Sequence, residues 1–149
     1  MLVLAGVGAM GWGGWNSEWR SALMASHHTA VGEQRRVTLA DGSQVLLDSQ
    51  SALDVRFDAE QRLLRLLSGR VLVETAVDGL ARPFLVEVPQ GQVRALGTRF
   101  TVQTEAQFCE VAVLEKAVEV RPAASAQVLR VEAGQQLRFD RARLGEPLS

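Results

Sequence analysis

The residues from Val31 to Asp140 form short runs in which apolar and polar side chains alternate, and this pattern limits the fold more than any other feature. The runs at 85–88 and 117–120 show it well, as Leu-Val-Glu-Val and Ala-Val-Glu-Val. An alternation of period two places apolar side chains on one face of a β-strand, whereas an amphipathic helix needs a period near 3.6. The chain is therefore expected to fold from strands.

Twelve runs fit the strand pattern, and residues that favour turns separate them. The dipeptides Asp41-Gly42 and Asp78-Gly79 are typical of tight turns. The predicted strands are 34–39, 44–48, 52–57, 62–67, 70–75, 84–88, 92–95, 99–104, 109–114, 117–121, 128–132 and 136–140. Strands that recur at this spacing, with no long helical stretch between them, predict an all-β domain.

Two architectures fit these strands. The interval from Gly69 to Gly91 is about 22 residues, and the interval from Gly91 to Gly134 is about twice as long. A repeat of this length suits the coils of a β-solenoid. A plain antiparallel β-sandwich accounts for the same alternation. The expectation is an all-β domain, irregular and solenoid-like or a sandwich, of about twelve short strands.

The first fifteen residues carry no charged side chain and are rich in apolar residues and glycine. As a helix they would span roughly 22 Å, which is shorter than the ~30 Å hydrocarbon core of a bilayer. We interpret residues 1–15 as the C-terminal part of a transmembrane helix, with a cleaved signal peptide and a buried core helix as alternatives. Trp12, Trp15 and Trp19 would share one helical face and are predicted to lie at the membrane interface, where tryptophan is enriched.

The rest of the chain divides into three predicted parts: a polar linker at 16–29, a β domain at 30–140 and a tail at 141–149 that begins a further C-terminal region. His27 and His28 fall in the linker. Adjacent histidines can bind a metal ion, but no third ligand has a suitable spacing. Solvated linker residues are the simpler interpretation.

The composition argues against several classes of function. Sixteen basic and seventeen acidic residues give a net charge of −1, so a strongly basic nucleic-acid-binding surface is not expected. The single cysteine, Cys109, cannot form an intramolecular disulfide or a CxxC site. The only histidines precede the β domain, which leaves its predicted strands without a Ser–His or Cys–His pair. We expect no enzymatic activity, no cofactor and no metal.

Residues 29–53 resemble the opening of the FecR domain, whose pattern is close to T-x-x-G-E-x-R-x-V-x-L-x-D-G-S-x-V-x-L-N-x-x-S. Gly32, Asp41, Gly42 and Ser43 match it, and Asp48 replaces the usual asparagine. The similarity continues at Gly69, at Arg82-Pro83-Phe84, through the distinctive Val93-Arg94-Ala95-Leu96-Gly97-Thr98-Arg99-Phe100-Thr101-Val102, and ends near Ala133-Gly134-Gln135. It covers about three-quarters of the chain in the correct order.

The resemblance implies a regulator that acts by protein contact. FecR-like proteins are single-pass inner-membrane proteins of Gram-negative bacteria, with the β domain in the periplasm. That domain takes a signal from the signalling domain of a TonB-dependent outer-membrane receptor. A cytoplasmic region, expected outside this sequence, acts on an extracytoplasmic-function (ECF) sigma factor that controls iron-uptake genes. The alternative is a stand-alone FecR-like structural or glycan-binding envelope domain without a sigma-factor partner. No nucleic-acid partner is implied.

The signature residues also have structural interpretations, and we expect most of them to support the fold. They are Gly32, Asp41, Gly42, Ser43, Gly69, Pro83, Phe84, Gly97, Thr98, Phe100 and Gly134. Asp41 can accept backbone N–H bonds in a tight turn. Gly97 inside an apolar run indicates a bulge, where Thr98 could satisfy a freed backbone group. Lys116 takes the place of a glycine usual in the family, and a positive φ there would cost about 1 kcal/mol.

Overall fold

The computed structural model describes residues 24–149, and this part of the chain is built from strands with no helix. The strands are β1 (Met24–His28), β2 (Arg35–Thr38), β3 (Gln44–Leu47), β4 (Ala52–Phe57), β5 (Arg62–Glu74), β6 (Phe84–Val88), β7 (Gly91–Ala95), β8 (Arg99–Thr104), β9 (Cys109–Glu115), β10 (Ala117–Pro122), β11 (Leu129–Glu132) and β12 (Gln136–Phe139). The all-β prediction is confirmed. The predicted membrane segment at 1–15, with Trp12, Trp15 and Trp19, lies outside the described residues.

The strands form two layers that share one strand. The first sheet has the order β1-β4-β5-β6-β7-β10-β11, and the second has the order β2-β3-β5-β8-β9-β12. Every pair is antiparallel except β5–β6, which is parallel. A solenoid would stack its coils through parallel pairs. Of the two architectures that the sequence allows, the pairing is therefore that of the antiparallel sandwich.

Strand β5 is the element that joins the layers. Its residues 62–68 pair with β4 and β6 in the first sheet, and its residues 69–74 pair with β3 and β8 in the second. The buried positions are 62, 64 and 66 before the change of sheet, and 71 and 73 after it. One extra residue at a bulge reverses which side chains face inward. The register with β4 shifts at this point, so the kink at 67–70 keeps apolar residues facing the core in both sheets.

Two strand predictions differ from the structure. The runs 62–67 and 70–75 were expected to be separate strands, and they are the two halves of β5. Strand β1 lies inside the predicted linker and pairs with β4 along its whole length. Its sequence, Met-Ala-Ser-His-His, contains no β-branched residue and no Phe, Tyr or Trp, so strand propensity gives no signal there.

The core lies between the two layers and is a single cluster. The first sheet contributes buried side chains such as Leu64, Phe84 and Val86, and the second contributes Phe100 and Phe139 among others. Phe57 and Phe84 pack edge to face with ring centroids 6.1 Å apart. Burying such a side chain stabilises the fold by roughly 1.5–3 kcal/mol. The side chains that face the core are those that the alternation in the sequence predicts. The turns and strand ends form the surfaces at the two ends of the sandwich.

Candidate functional site

The turn between β2 and β3, in the FecR-like opening, is held by side-chain hydrogen bonds. The Ser43 backbone N–H donates to Asp41 Oδ1 over 2.9 Å, and the Ser43 hydroxyl donates to Asp41 Oδ2 over 2.7 Å. Gly42 adopts φ +90°, which a residue with a side chain rarely does. The Ala76 N–H in turn donates to Ser43 Oγ over 2.8 Å. The turn is thereby fixed to the connection that follows β5.

Arg62, the first residue of β5, lies beneath this turn and is almost fully buried. Its Nη1 donates to Asp41 Oδ2 over 2.7 Å and to the Ala76 carbonyl over 3.0 Å. Its Nε and Nη2 donate to the Arg82 carbonyl, and its guanidinium lies 5.1 Å from the centroid of the Phe84 ring. Arg62 begins β5 and Ala76 lies two residues after its last residue, Glu74. Their contact therefore shows that both ends of the bent strand meet at one end of the sandwich.

The connection between β5 and β6, residues 75–83, is held by a second ion pair. Arg82 Nε and Nη2 contact the two carboxylate oxygens of Asp78 at 2.9 and 3.1 Å, and the Arg82 N–H also donates to Asp78 Oδ2. These bonds hold the pKa of Asp78 well below its usual range. Arg82 Nη1 donates to the carbonyl of Asp58, which lies in the β4–β5 turn. We call residues 75–83 the crossover loop.

The crossover loop presents apolar side chains to solvent although its backbone is held firmly. Val77 is 98% exposed and Leu80 is 71% exposed. Ala81 between Leu80 and Arg82 adopts φ +54°, an unusual conformation for alanine. Binding residues lie disproportionately on loops that a rigid scaffold positions, so this loop is a candidate contact surface. Sequence patterns missed this surface because Val77 and Leu80 flank a turn dipeptide, where their exposure depends on tertiary contacts.

The opposite end of the sandwich contains the kink of β5, where the signature residue Gly69 lies against Ser51. The Ser51 hydroxyl exchanges hydrogen bonds of 3.0 Å with the N–H and carbonyl of Arg70. The Ser51 N–H donates to Thr29 Oγ1 over 2.8 Å. Gly69 adopts φ +86°, and a Cβ there would lie 2.2 Å from Ser51 Oγ. A glycine is needed at this position because Ser51 occupies the space that a side chain would need.

An open groove of about 670 Å³ lies at this kinked end. The β3–β4 turn, the kink, Pro89 and the β8–β9 turn line it, with Leu67 as an exposed apolar residue among mostly polar neighbours. Gln90 joins its walls, since its amide donates to the Glu105 carbonyl and its carbonyl oxygen accepts from the Thr104 hydroxyl. No aromatic side chain lines this groove.

The Gly97-Thr98 position forms a bulge at the start of β8. Gly97 adopts φ +64°, and the pairing of β8 with β9 shifts register between Arg99 and Phe100. The buried Thr98 hydroxyl donates to the Glu115 carbonyl, and the Thr98 N–H donates to Thr75 Oγ1 over 2.9 Å. The Thr98 side chain therefore satisfies a backbone group next to the irregular register.

The remaining signature residues occupy turns and core positions. Gly32 and Gly134 adopt positive φ in turns, and nothing lies within 4 Å of the Cβ position of either. Pro83 precedes β6, and its carbonyl accepts the Arg62 N–H over 2.8 Å. Phe84 and Phe100 are buried in the core from the two sheets. In the described part of the chain these residues lie in turns, at the bulge and in the core, and none is grouped with others as a catalytic constellation.

The structure also locates Lys116, Cys109 and the two histidines, which were expected in a linker and lie in a strand. Lys116 adopts φ +61° at the corner between β9 and β10. Cys109 is buried, which raises the pKa of its thiol to about 12. His27 and His28 lie in β1, and burial lowers the pKa of His27, with Arg35 adding to the effect. No group of three or more His, Cys, Asp or Glu side chains within residues 24–149 could hold a metal ion.

Comparison with known proteins identifies a matching family and similar solved structures. Residues 25–119 match the family described as FecR protein. The chain belongs to the FecR family. Two crystal structures of a candidate anti-sigma factor from Parabacteroides distasonis share 28% identity with this FecR-family chain, with TM-scores of 0.71 and 0.68. The similarity covers 85% and 83% of this chain and 59% and 58% of those chains. This chain thus spans less than two thirds of their length, and no curated protein sequence matches it.

Membership of the family confirms the resemblance that the sequence motifs indicated, and the structure adds how the motifs act together. The Asp41 turn was predicted from sequence and Arg62 was assigned to a strand within the FecR-like similarity, but their pairing was not predicted. A signal was present, because Arg62 occupies an inward position of the alternation shared with Leu64 and Leu66. A charged residue at an inward position needs a buried partner.

No helix within residues 24–149 is long and apolar enough to cross a membrane.

Proposed function

We propose that this chain is the periplasmic transducer part of a transmembrane anti-sigma regulator. In this proposal a TonB-dependent outer-membrane receptor signals to the domain, and the whole protein acts on an ECF sigma factor through a cytoplasmic region to control iron-uptake genes. Residues 1–15 would belong to its inner-membrane anchor, with Trp12, Trp15 and Trp19 at the interface. FecR membership and the similarity to a candidate anti-sigma factor support this function.

The observation that carries a contact-based mechanism is the crossover loop. Two aliphatic side chains are held in solvent on a backbone that Asp78, Arg82 and Arg62 fix in place. An exposed apolar pair on a preorganised loop can bind a partner without first paying for loop ordering. We therefore assign Val77 and Leu80 to the surface that the receptor signalling domain contacts, and we assign no catalytic step to the domain.

The test measures binding of a receptor signalling domain, taken from the TonB-dependent receptor gene nearest to the gene for this protein, to the whole regulator. Val77→Ser/Leu80→Ser is expected to weaken binding by at least about tenfold, since each buried aliphatic side chain contributes on the order of 1 kcal/mol or more. Val31→Ser is the control, because Val31 is similarly exposed, at 76%, but lies outside the crossover loop, in the β1–β2 turn.

The possible outcomes distinguish the proposed regulator function from the proposed contact surface at Val77 and Leu80. Binding that survives the double substitution would move the contact elsewhere and leave the regulator function in place. No binding by a folded regulator, together with unchanged sigma-dependent transcription when its gene is deleted, would overturn the function. A stand-alone envelope domain would then be the better account. A reading frame closed upstream of residue 1 and the absence of a neighbouring sigma-factor gene would point the same way.

A further inference from the structure

Strand β1 lies at one edge of the first sheet and connects the two ends of the sandwich. Among the strands of residues 24–149 it pairs with β4 only, over five residues. Its sequence has no β-branched residue, so pairing rather than propensity keeps it in place. An edge strand held in this way is expected to open locally at a lower cost in free energy than the central strands.

The two ends of β1 lie at opposite ends of the sandwich and are held differently. Met24 lies opposite Arg56, next to the β4–β5 turn that bonds to the crossover loop. At the other end the buried Thr29 N–H donates to the Ser51 carbonyl over 2.9 Å, and Thr29 Oγ1 accepts the Ser51 N–H over 2.8 Å. Ser51 in turn bonds both backbone groups of Arg70 at the kink. The chain can therefore stay attached at Thr29 when the rest of β1 leaves β4.

His27 occupies an inward position of β1. It lies opposite Leu53 in the ladder, and Leu53 is fully buried in the core. Residues directly opposite each other share one face of a sheet, so the imidazole is on the side of the core. Arg35 occupies the corresponding position at the edge of the second sheet, opposite the fully buried Leu47 of β3. A titratable side chain and a permanent cation thus lie on the inner faces of the two edge strands.

The surroundings of His27 disfavour its protonated form. Partial burial of the ring is the largest cause that lowers the pKa of His27, and Arg35 of β2 and the neighbouring His28 add to it. Asp54 of β4 acts in the opposite direction. Arg35 is itself paired with Glu33 of the β1–β2 turn at 3.2 Å. The paired strand therefore binds a proton at His27 less readily than a released strand in water does.

We propose that β1 is an acid-released strand: protonation of His27 opens it from β4, while Thr29 keeps the chain attached beside the kink. Because the released form binds the proton more readily, acidification below about pH 6.5 shifts the equilibrium toward it. Release moves the point where the preceding chain joins the domain from the crossover-loop end of the sandwich to the kinked end. This device does not depend on the proposed receptor or sigma factor.

The experiment measures hydrogen exchange of the full chain, in a mild detergent because residues 1–15 are apolar. Bonded pairs alternate in an antiparallel ladder, so His27 and Leu53 form the next bonded pair after Thr29 and Ser51. The Leu53 amide therefore reports the release of β1. Its protection, corrected for the intrinsic exchange rate, is expected to fall at least about threefold between pH 7 and pH 5. The Leu53 amide is also expected to exchange at least about tenfold faster than the Thr29 amide, which stays bonded.

Two variants assign the effect to His27. His27→Gln is expected to make the protection of Leu53 nearly independent of pH in this range. His28→Gln is the matched control and should keep the pH dependence, because His28 is exposed on the opposite face of β1. The same pH dependence in the unchanged protein and in His27→Gln would overturn the proposal. So would equal exchange of the Leu53 and Thr29 amides in the unchanged protein, a comparison that serves even if His27→Gln does not fold.

Discussion

Glycines with the same backbone conformation are needed for different physical reasons in this domain. Gly69 and Gly134 adopt nearly the same φ, +86° and +87°, and both precede apolar runs in the sequence. Only Gly69 faces a neighbour, since Ser51 lies against its Cα. The sequence does not distinguish the two glycines, because the difference in space depends on a contact between residues far apart in the chain.

The pair of alanine variants should separate backbone strain from steric conflict. Gly134→Ala is expected to lower the free energy of unfolding by about 1 kcal/mol, the cost of a left-handed conformation alone. Gly69→Ala is expected to cost at least about 3 kcal/mol, because its Cβ would also lie 2.6 Å from the Ser51 backbone. Urea denaturation of both variants measures the difference. Equal losses would show that Ser51 moves aside without cost.

At the scale of elements, local pattern predicted strands well wherever the alternation was unbroken. The predictions for β4, β6 and β8 agree with the structure at both ends. The pattern failed where tertiary pairing decides. The kink in β5 continues a strand through a glycine, and β1 exists because β4 offers it an edge. The crossover loop likewise owes its shape to Arg62, which lies in a different element.

Removing Arg62 should therefore cost far more than removing a surface arginine of the same strand. Arg62→Met leaves the Asp41 carboxylate, 1% exposed, without its cation, and breaking a buried pair costs about 3–5 kcal/mol. Arg65→Met disrupts the exposed pair with Glu87 and is expected to cost about 1 kcal/mol or less. Thermal and urea unfolding compare the two. Similar losses would mean that the Asp41 turn rearranges to reach water.

For the whole molecule, ionisation favours the folded state at neutral pH. Hydrogen bonds lower the pKa values of four carboxyl groups, those of Glu33, Asp48, Asp58 and Asp78. A carboxyl group with a lowered native pKa binds protons more readily when unfolded, so its contribution is lost as the pH falls below about 4. The lowered pKa of His27 acts in the same direction, starting near pH 6.5.

We expect the free energy of unfolding to fall steadily on acidification and Asp78→Asn to remove part of that slope. The variant should be less stable than the unchanged protein near pH 7. The gap should narrow as the pH falls below about 4, because the unfolded unchanged protein then binds a proton at Asp78 that the folded protein does not. Urea denaturation across this range provides the measurement. Glu60→Gln, in an exposed turn, is the control. A gap that stays constant with pH would assign the loss to packing rather than charge.

Strand β5 also sets an order of assembly. Its partners β3 and β4 precede it in the chain, whereas β6 and β8 follow it. A chain delivered from its N-terminus can therefore complete β1 to β5, with both layers already begun, before any later residue is available. The bend over the kink leaves β5 itself with one open edge in each layer. The second half of the chain then adds strands to a template rather than building a sandwich of its own.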